Sequence, residues 1–251
     1  MLKNINTSNP LEKTLAGFTR NIIIVFAGTS LVSFLNLLYQ LLIAHKLSAC
    51  EFAAFNSLLS IFMIVSSPLS TIQMAVAKYS AEFFSHNQFA RLKFFLSDLI
   101  RKTSILAIST LLIFWFISIR IMNLLRIESR VSGYILAVLL ASTWLAPVLL
   151  GGVQGLEYFF WLASAQVLSG LLKLALAFIL ILLGYNIAGA LGALLASNLV
   201  GIIIFYFPLR RFITLKVIRE NIKYKEIFFY LFPVAISYFC FMNLVNFDMI
   251  L

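Results

Sequence analysis

Charge is what this sequence lacks most. Only 11% of its 251 residues are Asp, Glu, Lys or Arg, where a soluble domain carries roughly a quarter. The shortage falls on the acids, nine against nineteen bases, so a site built from clustered carboxylates has little to draw on. Cys50 and Cys240 are the only cysteines, one flanking an apolar run and the other inside one. They offer neither a CxxC pair nor a disulfide framework and read as small packing residues. His45 and His86 stand apart beside charged loop residues, without HxxH or HExxH spacing, and there is no Walker-type loop and no GxSxG elbow. No metal or cofactor is expected, and the chain does not read as an enzyme. Five prolines and eleven glycines leave little room for linkers, and no low-complexity segment interrupts the chain.

What is present in quantity is hydrocarbon. Hydrophobic residues make up 62% of the chain, with 25 phenylalanines among them, and the mean hydropathy is +1.02. The charges sit in short islands between long apolar runs, the pattern of an all-α, polytopic membrane helix bundle. A polar, mildly basic arm over 1–20 has no apolar core with a small-residue cleavage site, so it is not a signal peptide. Spans are expected at about 21–44, 52–77, 103–125, 131–153, 158–183 and 187–208, making a six-span lobe over 21–208. A basic loop over 209–226 then precedes a seventh span over 227–251. Ahead of the third span, Phe89, Leu92, Leu96, Leu99 and Ile100 recur at helical spacing among Arg91, Lys93, Asp98 and Arg101. That spacing predicts an amphipathic helix lying in the interface. Arg120, inside the third span, is expected to snorkel outward. Pro68 and Pro147 fall within spans two and four, where each removes a backbone donor and can bend the helix. Ala188, Gly192 and Ala196 form a small-xxx-small ridge on span six, suited to close packing.

With the N-terminus in the cytoplasm, 14 of the 19 lysines and arginines fall in inner segments. Lys46, Arg120, Arg126 and Arg130 fall outside, and this asymmetry predicts an N-in protein of the cell membrane. The seventh span ends at NFDMIL without a polar stop, as expected of a piece of something longer. SFLNLLYQLLI at 33–43 can be laid on CFMNLVNFDMI at 240–250. That match suggests a parallel internal repeat in which span seven opens a second lobe.

The polar residues inside the spans are the candidates for function. Lys173 lies ten residues before Leu183, about 15 Å from the end of its helix, too deep to snorkel fully. A lysine at a helix centre costs roughly 2.5–3.5 kcal/mol on insertion scales, so it should face a wet cavity or an anionic partner. Gln166, Ser169, Gly170, Lys173 and Ala177 share one small, polar face. Thr29, Ser33, Asn36 and Gln40 line a face of span one, and Ser66, Ser70, Gln73 and Ala77 one of span two. Span seven brings Asn243, Asn246 and Asp248. Such groups also bond helices to one another, and an internal Lys173–Asp248 salt bridge would neutralise both charges.

KLSACEFAAFNSLLSIF and SSPLSTIQMAVAKYSAEF resemble the first loop and second span of the polysaccharide biosynthesis, or oligosaccharide flippase, family of the multidrug/oligosaccharidyl-lipid/polysaccharide (MOP) exporter superfamily. GGVQGLEYFFWLASAQVLSGLLKLALAFILILLGYNIAGALGALL is similar to its fourth-to-sixth-span region, and FPVAISYFCFMNLVNFDMIL to its seventh helix. The resemblance implies two six-helix lobes facing each other across a cavity. It also implies transfer of lipid-diphosphate-linked oligosaccharides between leaflets by alternating access. The residues quoted cover the first lobe and the opening helix of the second, so membrane lipids and a second chain supplying the other lobe are expected partners.

On this reading Lys173 receives the diphosphate, Asn36, Gln40 and Gln73 contact sugar hydroxyls, Gln166 faces the cavity, and Asp248 holds Lys173 between cycles. Lys78, at the inner end of span two, either attracts the diphosphate or anchors the helix. A cation-coupled multidrug exporter of the same superfamily is the alternative, although Asp248 is the one carboxylate placed to bind a coupling ion. A non-transporting scaffold or fragment is another. A membrane glycosyltransferase or polymerase would need a large outer loop or a cluster of carboxylates and histidines at one membrane face, and neither is found.

Overall fold

The computed structural model describes residues 10–124 and 129–213, with the isolated positions 229, 232, 233, 235–237 and 240. Asn243, Asn246 and Asp248, the repeat over 240–250 and most of the basic loop and seventh span lie outside the described residues. Among the described residues eight helices follow one another: α1 (Pro10–Lys46), α2 (Ala49–Ser66), α3 (Leu69–Ser85), α4 (Phe89–Leu124), α5 (Arg130–Ser142), α6 (Ala146–Gly155), α7 (Phe159–Leu182) and α8 (Asn186–Leu209). No strand occurs among the described residues. The helices compose six units long and apolar enough to cross a membrane, α2–α3 and α5–α6 each counting as one. The chain is a multi-pass membrane bundle.

Both interior prolines interrupt their spans. At Pro68 the ring nitrogen has no hydrogen for the Ile64 carbonyl, and the Ser67 hydroxyl donates to that carbonyl instead, at 3.3 Å. In hydrocarbon such a substitute matters, because no water is at hand for a freed carbonyl. Before Pro147 the chain tightens through Trp144 and Leu145, whose amides donate to Ala141 and Ser142 at 3.4 and 3.3 Å. The Trp144 indole N–H donates to Thr110 Oγ1 at 2.8 Å and ties this break to α4.

One expectation is corrected, and the helix of span one extends beyond the stretch Asn21–Lys46 that is apolar enough to cross a membrane. The amphipathic stretch before the third span is no separate interfacial helix. It is the first part of α4, continuous to Leu124, since neither glycine nor proline divides 89–124. Leu92, Phe95 and Leu96 are fully buried, so their stripe packs on protein instead of lipid head groups. The helix of span one likewise starts early, at Pro10, within the stretch expected as a polar arm; proline suits a first helical position.

The interior divides into two apolar cores, one towards each end of the bundle. One joins the end of α1, the start of α2 and the α7–α8 corner through Tyr39, Ile43, Phe55, Leu58, Ile181 and Leu191. Above it Ser48 and Glu51 form a capping box on α2, and Asn186 Nδ2 donates to Glu51 Oε1 at 2.6 Å. That bond links the α1–α2 turn to the α7–α8 turn. The other core joins α3, α4, α6 and the end of α8 through Val76, Leu92, Phe95, Leu96, Val153 and Leu209. Between the two cores, at mid-height, the packing opens.

Glycines set how closely the helices approach. A Cβ on Gly151 would lie 2.6 Å from the Gln73 carbonyl oxygen, and one on Gly155 only 2.4 Å from that of Ala77. α6 therefore rests directly on the α3 backbone, as small-residue pairs four apart allow. On α8 the close approach falls on Gly189, whose Cβ would meet Leu180 Cβ at 2.9 Å, whereas one on Gly192 would meet only Leu180 Cδ1 at 3.7 Å. The closest approach of α8 thus falls three residues before the glycine of the expected Ala188–Gly192–Ala196 ridge. Gly155→Ala should destabilise the purified protein by about 1–3 kcal/mol, the cost of overpacking, and Gly192→Ala should be neutral. Thermal unfolding in detergent checks both, and equal unfolding temperatures for the two variants would contradict the α3–α6 contact described.

Candidate functional site

The opening between the cores is a cavity of about 490 Å³. Its walls are Thr29, Val32, Ser33 and Asn36 from α1; Gln166, Ser169, Gly170 and Lys173 from α7; and Leu194, Ser197, Asn198, Gly201, Ile202 and Phe205 from α8. Phe62, Leu139 and Ala146 complete it from α2, α5 and α6. The last two flank the break before Pro147, so the interruption of that span sits at the depth of the cavity.

Lys173 is nine residues from the end of α7 at Leu182, about 14 Å along the axis. Its ammonium donates to Asn36 Oδ1 on α1 and stands 4.6 Å from the centroid of the Tyr39 ring. The Tyr39 hydroxyl donates to the Ala190 carbonyl at 3.0 Å, so the ring under the cation is pinned to α8. A hydrogen bond from a charged group contributes about 1.5–3 kcal/mol and a cation–π contact about 0.5–2 kcal/mol. Together they are of the same order as the roughly 2.5–3.5 kcal/mol cost of a lysine at a helix centre. The cation is thus held without a carboxylate, and among the described residues no acid lines the cavity. An ammonium carries three N–H donors, and one is given to Asn36.

Of the residues singled out from the sequence, Asn36, Gln166 and Lys173 meet in this cavity. Gln40, one turn further along α1 and half-buried, is not among its walls. Gln73 is engaged elsewhere: its Nε2 donates to Gln154 Oε1 at 3.1 Å, across the α3–α6 contact. Lys78 is exposed on α3, with its ammonium 5.3 Å from the Tyr79 ring centroid. Asp248 lies outside the described residues. Thr29 spends its hydroxyl on the carbonyls of its own helix, Val25 and Phe26, at 2.9 and 3.0 Å.

Two contributors were not singled out. Tyr39 was passed over as an ordinary aromatic, since only the folded chain brings it beneath Lys173. Asn198 had a visible signal, an amide in the middle of an otherwise apolar span. Its Oδ1 and the Ser169 hydroxyl are buried with no hydrogen-bond partner. No group of three or more His, Cys, Asp or Glu capable of holding a metal occurs among the described residues.

No family model matches the sequence, and no curated protein does. Solved structures do match. One is a MOP superfamily transporter from Pyrococcus furiosus whose binding pocket is described as reversed in polarity; it is 16% identical, with a TM-score of 0.72 over 88% of this chain and 52% of that one. A multidrug resistance MATE transporter of the MOP superfamily, in an outward-facing conformation, is 19% identical with a TM-score of 0.70, over 88% and 52%. A MATE transporter in complex with Br-NRF is 17% identical with a TM-score of 0.74, over 91% and 55%. The chain therefore has the fold of these transporters and spans about half their length.

Tyr39→Phe keeps the ring and removes the bond to Ala190. It should lower stability by about 1 kcal/mol, a fall of about 2–4 °C in unfolding temperature for a chain of this size. Thermal unfolding of detergent-solubilised protein measures it, and an unchanged midpoint would mean that the hydroxyl does not hold the ring.

Proposed function

We propose that the chain forms one half of a membrane transporter that moves lipid-diphosphate-linked oligosaccharide or polysaccharide repeat units across the cytoplasmic membrane by alternating access. The observation that carries this reading is the Lys173 ammonium, held by neutral partners in a cavity that no acid lines among the described residues. A fixed positive charge at mid-helix depth suits an anion that cannot cross hydrocarbon unaided. At about 490 Å³ the cavity is of the size that takes a drug-sized ligand. It therefore receives part of a head group, while the lipid tail stays in the bilayer.

Lys173 meets phosphate oxygens, with Asn36 and Gln166 beside it to contact the sugar. Gln40 lies further along the same helix, and a sugar contact from Gln73 requires its bond to Gln154 to open. Lys78 serves the inner end of α3, as an anchor or as an attraction for the diphosphate. Asp248 pairs with Lys173 between cycles. The N-terminus is cytoplasmic, and the other lobe comes from further chain or from a second chain.

The MATE fold of the matching structures favours a second reading, a cation-coupled multidrug exporter. The sign of the cavity weighs against it, since among the described residues no carboxylate stands beside the ammonium to receive a cationic drug or coupling ion. A non-transporting scaffold has no use for a buried cation.

The transporter reconstituted in liposomes with a labelled diphosphate-linked glycolipid provides the test. Lys173→Ala should slow flipping at least about tenfold, the worth of one charged hydrogen bond, while insertion is unaffected. Flipping at the wild-type rate would reject the assignment.

A further inference from the structure

The end of α8 carries a pair of cations that the cavity does not use. Leu209 and Phe212 are buried in the core that joins α3, α4, α6 and the end of α8, and between them Arg210 and Arg211 are exposed. Burial on either side holds the two guanidinium groups outward. That of Arg211 lies 5.0 Å from the Phe212 ring centroid and 5.5 Å from that of Tyr158, at the start of α7. That of Arg210 lies 5.9 Å from the Phe207 ring centroid. Among the described residues neither guanidinium makes an ion pair or a hydrogen bond. Glu157, next to Tyr158 in the chain, is exposed and pairs with neither.

A basic residue at a helix C-terminus is ordinary, since it meets the negative end of the macrodipole. The rings are what set this pair apart. They position the charges without supplying a conventional acceptor, so the five N–H donors of each fork stay open, and such a fork matches phosphate oxygens two at a time. The height of the pair adds the rest. α7 and α8 run antiparallel, with Gly201 beside Ser169 and Gly189 beside Leu180, and the same register sets Arg211 beside Tyr158, roughly 20 Å along the bundle from Lys173. Trp161 and Tyr206 are exposed near that height, as at a membrane–water boundary. Towards the bilayer centre the two helices expose Leu168, Leu199 and Ile203. A ligand that fits therefore combines phosphate oxygens with hydrocarbon. We infer that Arg210 and Arg211 form a head-group site for an anionic phospholipid of the surrounding bilayer, of the phosphatidylglycerol type, on the lipid-facing side of α7 and α8. A zwitterionic phospholipid fits less well, because its own cation sits beside the phosphate and opposes the arginines. The site needs neither Lys173 nor any cargo: its lipid is a fixed partner that ties the α6–α7 turn to the end of α8.

Native mass spectrometry of the purified full chain, loaded from mixed micelles with dioleoyl phosphatidylglycerol and dioleoyl phosphatidylcholine, reads the preference. The wild type should retain phosphatidylglycerol at least about tenfold better, the worth of one charged hydrogen bond. Arg211→Gln should remove most of that preference and Arg210→Gln should reduce it. Arg211→Lys, which keeps the charge but not the fork, should leave part of it. Each variant should retain phosphatidylcholine as the wild type does, which shows that it folds. Should Arg211→Gln fail to fold, Arg210→Gln, which leaves the Tyr158 contact in place, decides. Equal retention of the two lipids by the wild type, or a preference that survives both glutamine substitutions, overturns the site and leaves the arginines as interfacial anchors. Displacement of the lipid by millimolar inorganic phosphate also overturns it, since the acyl chains would then contribute nothing. Lys173→Ala should keep the preference intact; its loss in that variant would place the lipid in the cavity and overturn the site at α8.

Discussion

The structure turns on one lysine, half-buried at mid-helix in a membrane bundle, and on the groups that hold its ammonium there. Lys173 is too deep in α7 to reach an interface, and no acid stands beside it among the described residues. It is instead held by an amide oxygen of α1 and the face of an aromatic ring whose hydroxyl is fixed to α8. Three helices thus converge on one ammonium. Their polar faces are turned inward because the alternative is to solvate a cation with lipid tails. Among the described residues its partners are neutral, so none of them cancels its charge.

Everything around the cavity keeps the space from collapsing. Apolar side chains close the bundle towards both ends, in two clusters that meet different helices. The interruptions at Pro68 and before Pro147 divide two spans into shorter pieces; the Ser67 hydroxyl takes up the carbonyl freed at the first, and the Trp144 indole ties the second to α4. Glycines at 151 and 155 bring α6 onto the backbone of α3, a rigid contact beside the half of the bundle that carries the lysine.

Resemblance and geometry speak to different questions. Structures under a fifth identical in sequence share this fold over half their length, and fold alone does not name a cargo. The cargo is argued from the site: the sign of its charge and its volume.

Composition and periodicity alone determined that this chain is a bundle of membrane helices, placed four of its six described spans to within a few residues, and marked Lys173, Asn36 and Gln166 as polar residues with a reason to be there. Those properties are local: hydropathy over a helix length, and residues three or four apart sharing a face. Tertiary structure alone decided which faces meet. It sent Gln73 to Gln154 rather than to the cavity, buried Leu92, Phe95 and Leu96 within the bundle rather than at the interface, and brought Tyr39 under a lysine 134 positions away. It also left Asn198 without a partner. A helical period says which residues lie together on one helix; only the packing of one helix on another says what each face touches.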